Sequence, residues 1–121
     1  MRVTGPDFLS LQVRDIEASA RFYEEHVGLT RRPGPPHAVV FATEPIAFAV
    51  REATPGFDLE QHPEPSGGVA LWLHAPAARD LHDALLAAGV RITSEPVEGP
   101  FGFTFTFADP DGYRITLHDR A

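Results

Sequence analysis

Residues 8–28 read FLSLQVRDIEASARFYEEHVG, and residues 68–89 read GVALWLHAPAARDLHDALLAAG. Each stretch begins with alternating apolar residues, continues into a helix-forming segment and stops at a glycine. Leu9, Leu11 and Val13 alternate with Phe8, Ser10 and Gln12, which is the period of a strand with one buried face. Asp15 is a good N-cap, and Ile16 to Val27 reads as a helix with Ile16, Ala20, Phe22, Tyr23 and Val27 on its apolar side. Gly28 falls where a left-handed C-terminal cap is expected. In the second copy Val69, Leu71 and Leu73 alternate. Pro76 then opens a helix running to Ala88, with Leu81, Leu85 and Ala88 inward and Gly89 at its end. The copies overlay with an offset of about 60 residues and one extra residue, a spacing that marks an internal repeat.

Outward from the repeat, each copy is followed by strand patterns. Arg31 to Pro36 reads as a proline-rich connection, after which Ala38 to Ala42 and Ile46 to Val50 form a hairpin around Thr43, Glu44 and Pro45. Glu52 to Gly67, rich in proline and glycine, reads as a loop or linker. In the second copy Val90 to Thr93 is a short strand. Phe103, Phe105 and Phe107 alternate with Thr104 and Thr106, and Ile115 and Leu117 alternate with Arg114, Thr116 and His118. Between these runs Asp109, Pro110, Asp111 and Gly112 suit a type I turn. The expected fold is α+β: two tandem β-α-β-β-β modules in one domain over 1–121. Module one covers 1–57, a linker 58–67 and module two 68–121. The helices cover one face, and the mixed sheet curves its other face around a cleft.

The 121-residue chain carries 17 acidic and 10 basic residues, a formal charge of −7. It has no cysteine, which excludes disulfides, thiolate metal sites and thiol nucleophiles. Every basic residue is arginine, so a Schiff-base or phosphate-loop lysine is excluded as well. The acidic balance argues against nucleic acid as a partner. No apolar run approaches a membrane span and the first residues hold no signal-peptide core, so the expected location is cytoplasmic.

Several motifs in their order and spacing resemble the vicinal oxygen chelate superfamily of glyoxalases, extradiol dioxygenases and bleomycin-resistance proteins. They are Leu11-Gln12-Val13-Arg14-Asp15, Ser19-Ala20-Arg21-Phe22-Tyr23 and Val27-Gly28-Leu29 in the first copy. The second copy supplies Ala87-Ala88-Gly89-Val90, Phe107-Ala108-Asp109-Pro110-Asp111-Gly112 and Ile115-Thr116-Leu117. The resemblance covers nearly the whole chain and implies paired modules, a homodimer, and a small organic ligand in a concave sheet. It also implies metal ligands at three strand positions, which here are Phe8, Gly68 and Thr116. Two of these have no side-chain donor and the third only a neutral hydroxyl, so neither metal nor other cofactor is expected. Glu52 is the one further carboxylate near a family ligand position.

Strand parity puts Phe8, Ser10, Gln12, Ala70, Trp72 and His74 on the cavity face, with Arg114, Thr116 and His118 from the last strand. Apolar walls at Phe8 and Trp72 with polar fixtures at Gln12, Thr116, His118 and Arg114 have the usual form of a small-molecule site. Trp72 is either a ligand wall or core and interface filler. Phe103, Phe105 and Phe107 read as packing, which leaves Thr104 and Thr106 toward the cavity. His26, His37, His62 and His82 read as solvated or hydrogen-bonded, whereas His74 and His118 share the cavity parity. Asp109 to Gly112 is a turn rather than a calcium loop. The expected function is metal-free binding of an aromatic or cationic natural product, as drug-binding resistance proteins of the family sequester an antibiotic, with an acidic cleft complementing a cationic drug. The alternative is a lyase, isomerase or oxygenase with a relocated metal or an acid–base site at His74, His118 or Glu52.

Overall fold

The alternation at the start of the first repeat forms strand β1 (Phe8–Val13), and the capped segment after it forms helix α1 (Ile16–Val27). Asp15 accepts a hydrogen bond from the Ala18 amide at 3.1 Å, and Gly28 ends the helix with φ 81°. These residues belong to a computed structural model that describes residues 1–120 and divides into two units, the first from Met1 to Leu59 and the second from Glu60 onward.

The first unit continues with β2 (Arg31–Arg32), β3 (Ala38–Phe41) and β4 (Ala47–Glu52). Its sheet runs β1-β4-β3-β2, with β1 and β4 parallel and the other pairs antiparallel. Helix α1 covers the face carrying Leu11, Val13, Phe41, Phe48 and Val50, all buried. Tyr23 reaches into that core, its ring 5.2 Å from Phe48 and 6.0 Å from Phe41. Two expectations are corrected. Arg31 and Arg32 form a strand rather than a connection, because they pair with Phe41 and Val40. Ser19, not Phe22, is buried with Ala20 and Tyr23, since the helical period from Tyr23 selects 19 and 20 and leaves Phe22 at the margin.

Arg31 ties β2 to the helix. Its guanidinium bonds Glu17 at 2.9 and 3.0 Å and Glu24 at 2.9 and 3.1 Å. The hydrogen bond from Arg31 holds the Glu17 carboxyl below its ordinary 4.5, and the carboxylates raise the arginine's pKa in turn. A depressed carboxylate stabilises the fold above the unfolded-state pKa and loses that effect as pH falls through the folded value. The stability difference between the native chain and Arg31→Gln is therefore expected to be full at neutral pH and to shrink below about pH 4.5, read by urea titration at several pH values. A difference independent of pH would contradict it.

The second unit contains β5 (Leu71–His74), α2 (Ala78–Ala87), β6 (Ile92–Gly99), β7 (Gly102–Ala108) and β8 (Arg114–His118), with sheet order β5-β8-β7-β6. Again the first and last strands are parallel. Phe103, Phe105, Phe107, Ile115 and Leu117 are buried on the face that α2 covers. The His82 ring meets Phe105 edge-on at 5.0 Å, and the Arg79 guanidinium lies 4.4 Å over Phe103. Helix α2 starts at Ala78 rather than at Pro76, with no side-chain cap at Ala77, and Ala88 is exposed just past its end. Strand β6 extends well beyond the expected Val90 to Thr93. Its register shifts between Ile92 and Ser94 and again before Val97, and Pro96 is tolerated because β6 is an edge strand.

In the turn between β7 and β8 the Gly112 amide bonds the Asp109 carbonyl at 3.0 Å. One Asp109 carboxylate oxygen accepts from the Asp111 and Tyr113 amides at 2.9 and 3.0 Å. The stretch 58–67, expected as a linker, holds a 3-10 turn at Leu59–Gln61 and buries Leu59 and Ser66. The Ser66 hydroxyl accepts from the Arg114 amide at 2.9 Å. No helix among the described residues is long and apolar enough to cross a membrane.

Candidate functional site

Strand register determines what each sheet presents opposite its helix. In the first unit Phe8, Ser10 and Gln12 align with Ala47, Ala49 and Arg51 on β4. Arg51 and Ala49 align in turn with Ala38 and Val40 on β3, and Val40 with Arg32 on β2. The middle of this face is mostly alanine, so side chains stand up only at its margins. A pocket of about 520 Å3 results, lined by Phe8, Ser10, Arg32, His37, Val40 and Arg51 together with the 33–35 segment. Phe8, an expected site residue, is 53% exposed there. Gln12 lies on the same face but outside the lining, and its amide oxygen accepts from the Thr54 amide at 2.7 Å and hydroxyl at 3.0 Å.

The polarity of this pocket reverses the expected acidic cleft. Its lining holds two arginines and a histidine and no carboxylate. His37 pairs with Glu52 at 2.8 Å, which also occupies the carboxylate considered for an acid–base role. Arg51 donates from Nε to the Glu52 carbonyl at 2.9 Å. Neither Arg32 nor Arg51 is paired with an acidic side chain among the described residues. No residue pattern announced this: consecutive arginines alternate across a strand, so recognising Arg32 as a wall requires knowing that β2 exists.

In the second unit the helix-free face carries an aromatic cluster. Trp72 is 46% and Phe101 51% exposed, and their rings meet edge to face at 5.3 Å. The His118 ring lies 5.5 Å from Trp72 and 6.1 Å from Phe101, and His74 lies 5.7 Å from His118, its partner in register. Trp72 is thus not core filler within this chain. Phe101 went unrecognised as a site residue, although a large ring among Gly99, Pro100 and Gly102 at a hairpin tip has no turn-forming reason to be there.

The remaining expected residues have partners within the second unit. The Thr106 and Thr116 hydroxyls bond at 2.7 Å, and the Thr104 hydroxyl donates to the Gly102 carbonyl at 3.1 Å. Arg114 lies 3.4 Å from a Glu64 oxygen. His118 and His74 approach the carbonyls of Arg120 at 3.0 Å and Asp119 at 3.4 Å.

This donor set does not fit a divalent cation at the family's positions. Phe8 presents a phenyl ring, and Thr116 shares its hydroxyl with Thr106. Gly68 lies in the loop before β5 rather than on a strand, which is a correction. Counting back from the two helix starts, Ala70 is the residue equivalent to Phe8, and it offers only a methyl group. No group of three His, Asp or Glu side chains converges among the described residues.

A family model described as the Glyoxalase/Bleomycin resistance protein/Dioxygenase superfamily matches residues 5–117. No curated protein matches the chain. Among solved structures, the virulence protein STM3117 from Salmonella typhimurium is 26% identical, with all of both chains covered and a TM-score of 0.72. TnmS3, an antibiotic binding protein from Streptomyces sp. CB03234, is 24% identical over 100% of this chain and 99% of its own, with a TM-score of 0.71. A glyoxalase-related enzyme from Fulvimarina pelagi is 24% identical over 97% of this chain and 88% of its own, with a TM-score of 0.69. Binders and enzymes therefore share this fold, and function has to be argued from side chains.

Proposed function

The chain belongs to the glyoxalase/bleomycin resistance protein/dioxygenase superfamily, and from that premise we propose that it binds an aromatic small organic molecule directly, without a metal, in a sequestering role. The observation that carries this reading is the pair of half-exposed rings, Trp72 and Phe101, stacked edge to face on the sheet side that α2 leaves open. An apolar patch with polar groups at its border marks a binding surface. Trp72 and Phe101 supply the stacking surface, and His74 and His118 supply hydrogen bonds at its rim. Phe8 contributes an apolar wall in the first unit. Gln12, Thr104, Thr106, Arg114 and Thr116 support these faces through the bonds described above. TnmS3 gives a precedent for antibiotic binding on the shared fold, at an identity that speaks only to the fold.

Because Trp72 is the sole tryptophan, its fluorescence reports on this cluster alone. Titration with a panel of aromatic natural products, antibiotics included, is expected to quench or shift its emission. Phe101→Ala is expected to weaken that binding about three- to tenfold, the size of an edge-to-face aromatic contact. Unchanged emission across a broad panel would overturn the reading. A homodimer is part of the same proposal, and sedimentation equilibrium checks it.

The enzymatic alternative has one observation in its favour, the facing of His74 and His118 in register. Stoichiometric metal in the purified protein that is lost in His74→Ala would establish it over sequestration.

A further inference from the structure

The chain carries a net charge of −7, yet the pocket of its first unit is walled by cations. Three other arginines are matched to acids: Arg31 to Glu17 and Glu24, Arg79 to Glu98, and Arg114 to Glu64. Arg32 and Arg51 are different. They stand on β2 and β4, on either side of β3 and on one sheet face, with no acid in the lining they share. The alanines between them leave the space into which both guanidinium groups can donate.

We propose that this pocket takes an aromatic organic anion, a carboxylate or phenolate, with Arg32 and Arg51 on its charged end and Phe8 against its ring. The proposal rests on the small-molecule reading above and adds to it the charge of the ligand and a second contact surface. A guanidinium offers parallel N–H donors that match a carboxylate, and charge-assisted bonds of this kind are stronger than neutral ones. The Ser10 hydroxyl adds a neutral donor, and His37 is already committed to Glu52. Pro33, Pro35, Val40 and Phe8 provide apolar walls. The cavity, about 520 Å3, lies within the range of drug-sized sites. The same lining opposes a cationic ligand, because two unpaired arginines would face it.

Calorimetric titration of the intact protein with three probes of one shape tests this: 2-naphthoate, 2-naphthamide and 2-naphthylmethylammonium. The naphthoate is expected to bind at least about tenfold more tightly than the amide, and the ammonium most weakly. That advantage should fall as salt is raised. It should disappear in Arg32→Gln/Arg51→Gln and persist in Arg21→Gln, which removes one positive charge, as each single pocket variant does, but from an exposed position on α1. Each single variant should lose part of it, and circular dichroism verifies the fold of all four. Equal affinity for the three probes would overturn the anion assignment while leaving small-molecule binding in place, as would an advantage that survives the double variant. No binding of any probe would also overturn the assignment, and the Trp72 titration with natural products separately decides the broader reading.

Discussion

Replacing Phe105 with alanine is expected to destabilise the protein by about 3–5 kcal/mol, measured as a lower midpoint in guanidinium unfolding. Phe105 is 1% exposed and stands in the middle of β7, beneath α2. It touches the His82 ring at 5.0 Å and lies 6.2 and 6.3 Å from the rings of Phe103 and Phe107. Truncation to a methyl group removes the buried ring and leaves a void that strands on either side cannot close, because the β7 backbone is bonded to both β6 and β8. A domain of this size holds roughly 5–15 kcal/mol in all, so the loss is a large share of its stability. Phe101→Ala, made at a half-exposed ring, is the matching control and is expected to stay within about 0.5 kcal/mol. If the two variants shifted the midpoint equally, the distinction between the buried ring and the half-exposed one would carry no weight in stability.

Gly112→Ala is expected to cost about 3 kcal/mol or more, because two penalties coincide. The backbone there has φ 93°, a left-handed conformation that side-chain-bearing residues rarely adopt. In addition, a Cβ would run into the backbone carbonyl of Pro63, which cannot rotate aside as a flexible side chain could. The turn that would have to yield is the one built on Asp109, whose carboxylate is already bonded to two amides. Gly56 has nearly the same φ, 92°, with nothing near its missing Cβ. Gly56→Ala should therefore show the conformational penalty alone, about 1–2 kcal/mol. Equal effects of the two substitutions would show that the contact with Pro63 is unimportant.

Local patterns were legible in the sequence where physics acts over a few residues. The alternation of Leu9, Leu11 and Val13 named the buried side of β1, and Asp15 and Gly28 marked both ends of α1 through the bonds and dihedral angle they adopt. The phenylalanines of β7 and the threonines between them divided between the two faces as their parity required. Pairing between distant segments was not legible. Arg31 and Arg32 become a strand only because Phe41 and Val40 lie beside them, and this placed one arginine on the helix side and the other in the pocket. For the same reason the charge of the first-unit pocket was not legible: net charge is a sum over the chain, whereas a pocket is governed by the few side chains that register brings to it. Phe101 was missed because a hairpin tip has no periodicity from which to read a face.

The pairing of the first and last strands has a kinetic consequence. In both units the strand made last is an interior member of its sheet and pairs in parallel with the strand made first. Neither sheet can assemble by adding neighbouring hairpins one after another, since a loop containing a helix and two further strands must close before the parallel ladder forms, at an entropic cost. On the ribosome, the second unit would wait for residues 114–118 with Phe103, Phe105 and Phe107 already made and only partly covered, so the interval before β8 arrives is when a nascent chain is most exposed to aggregation.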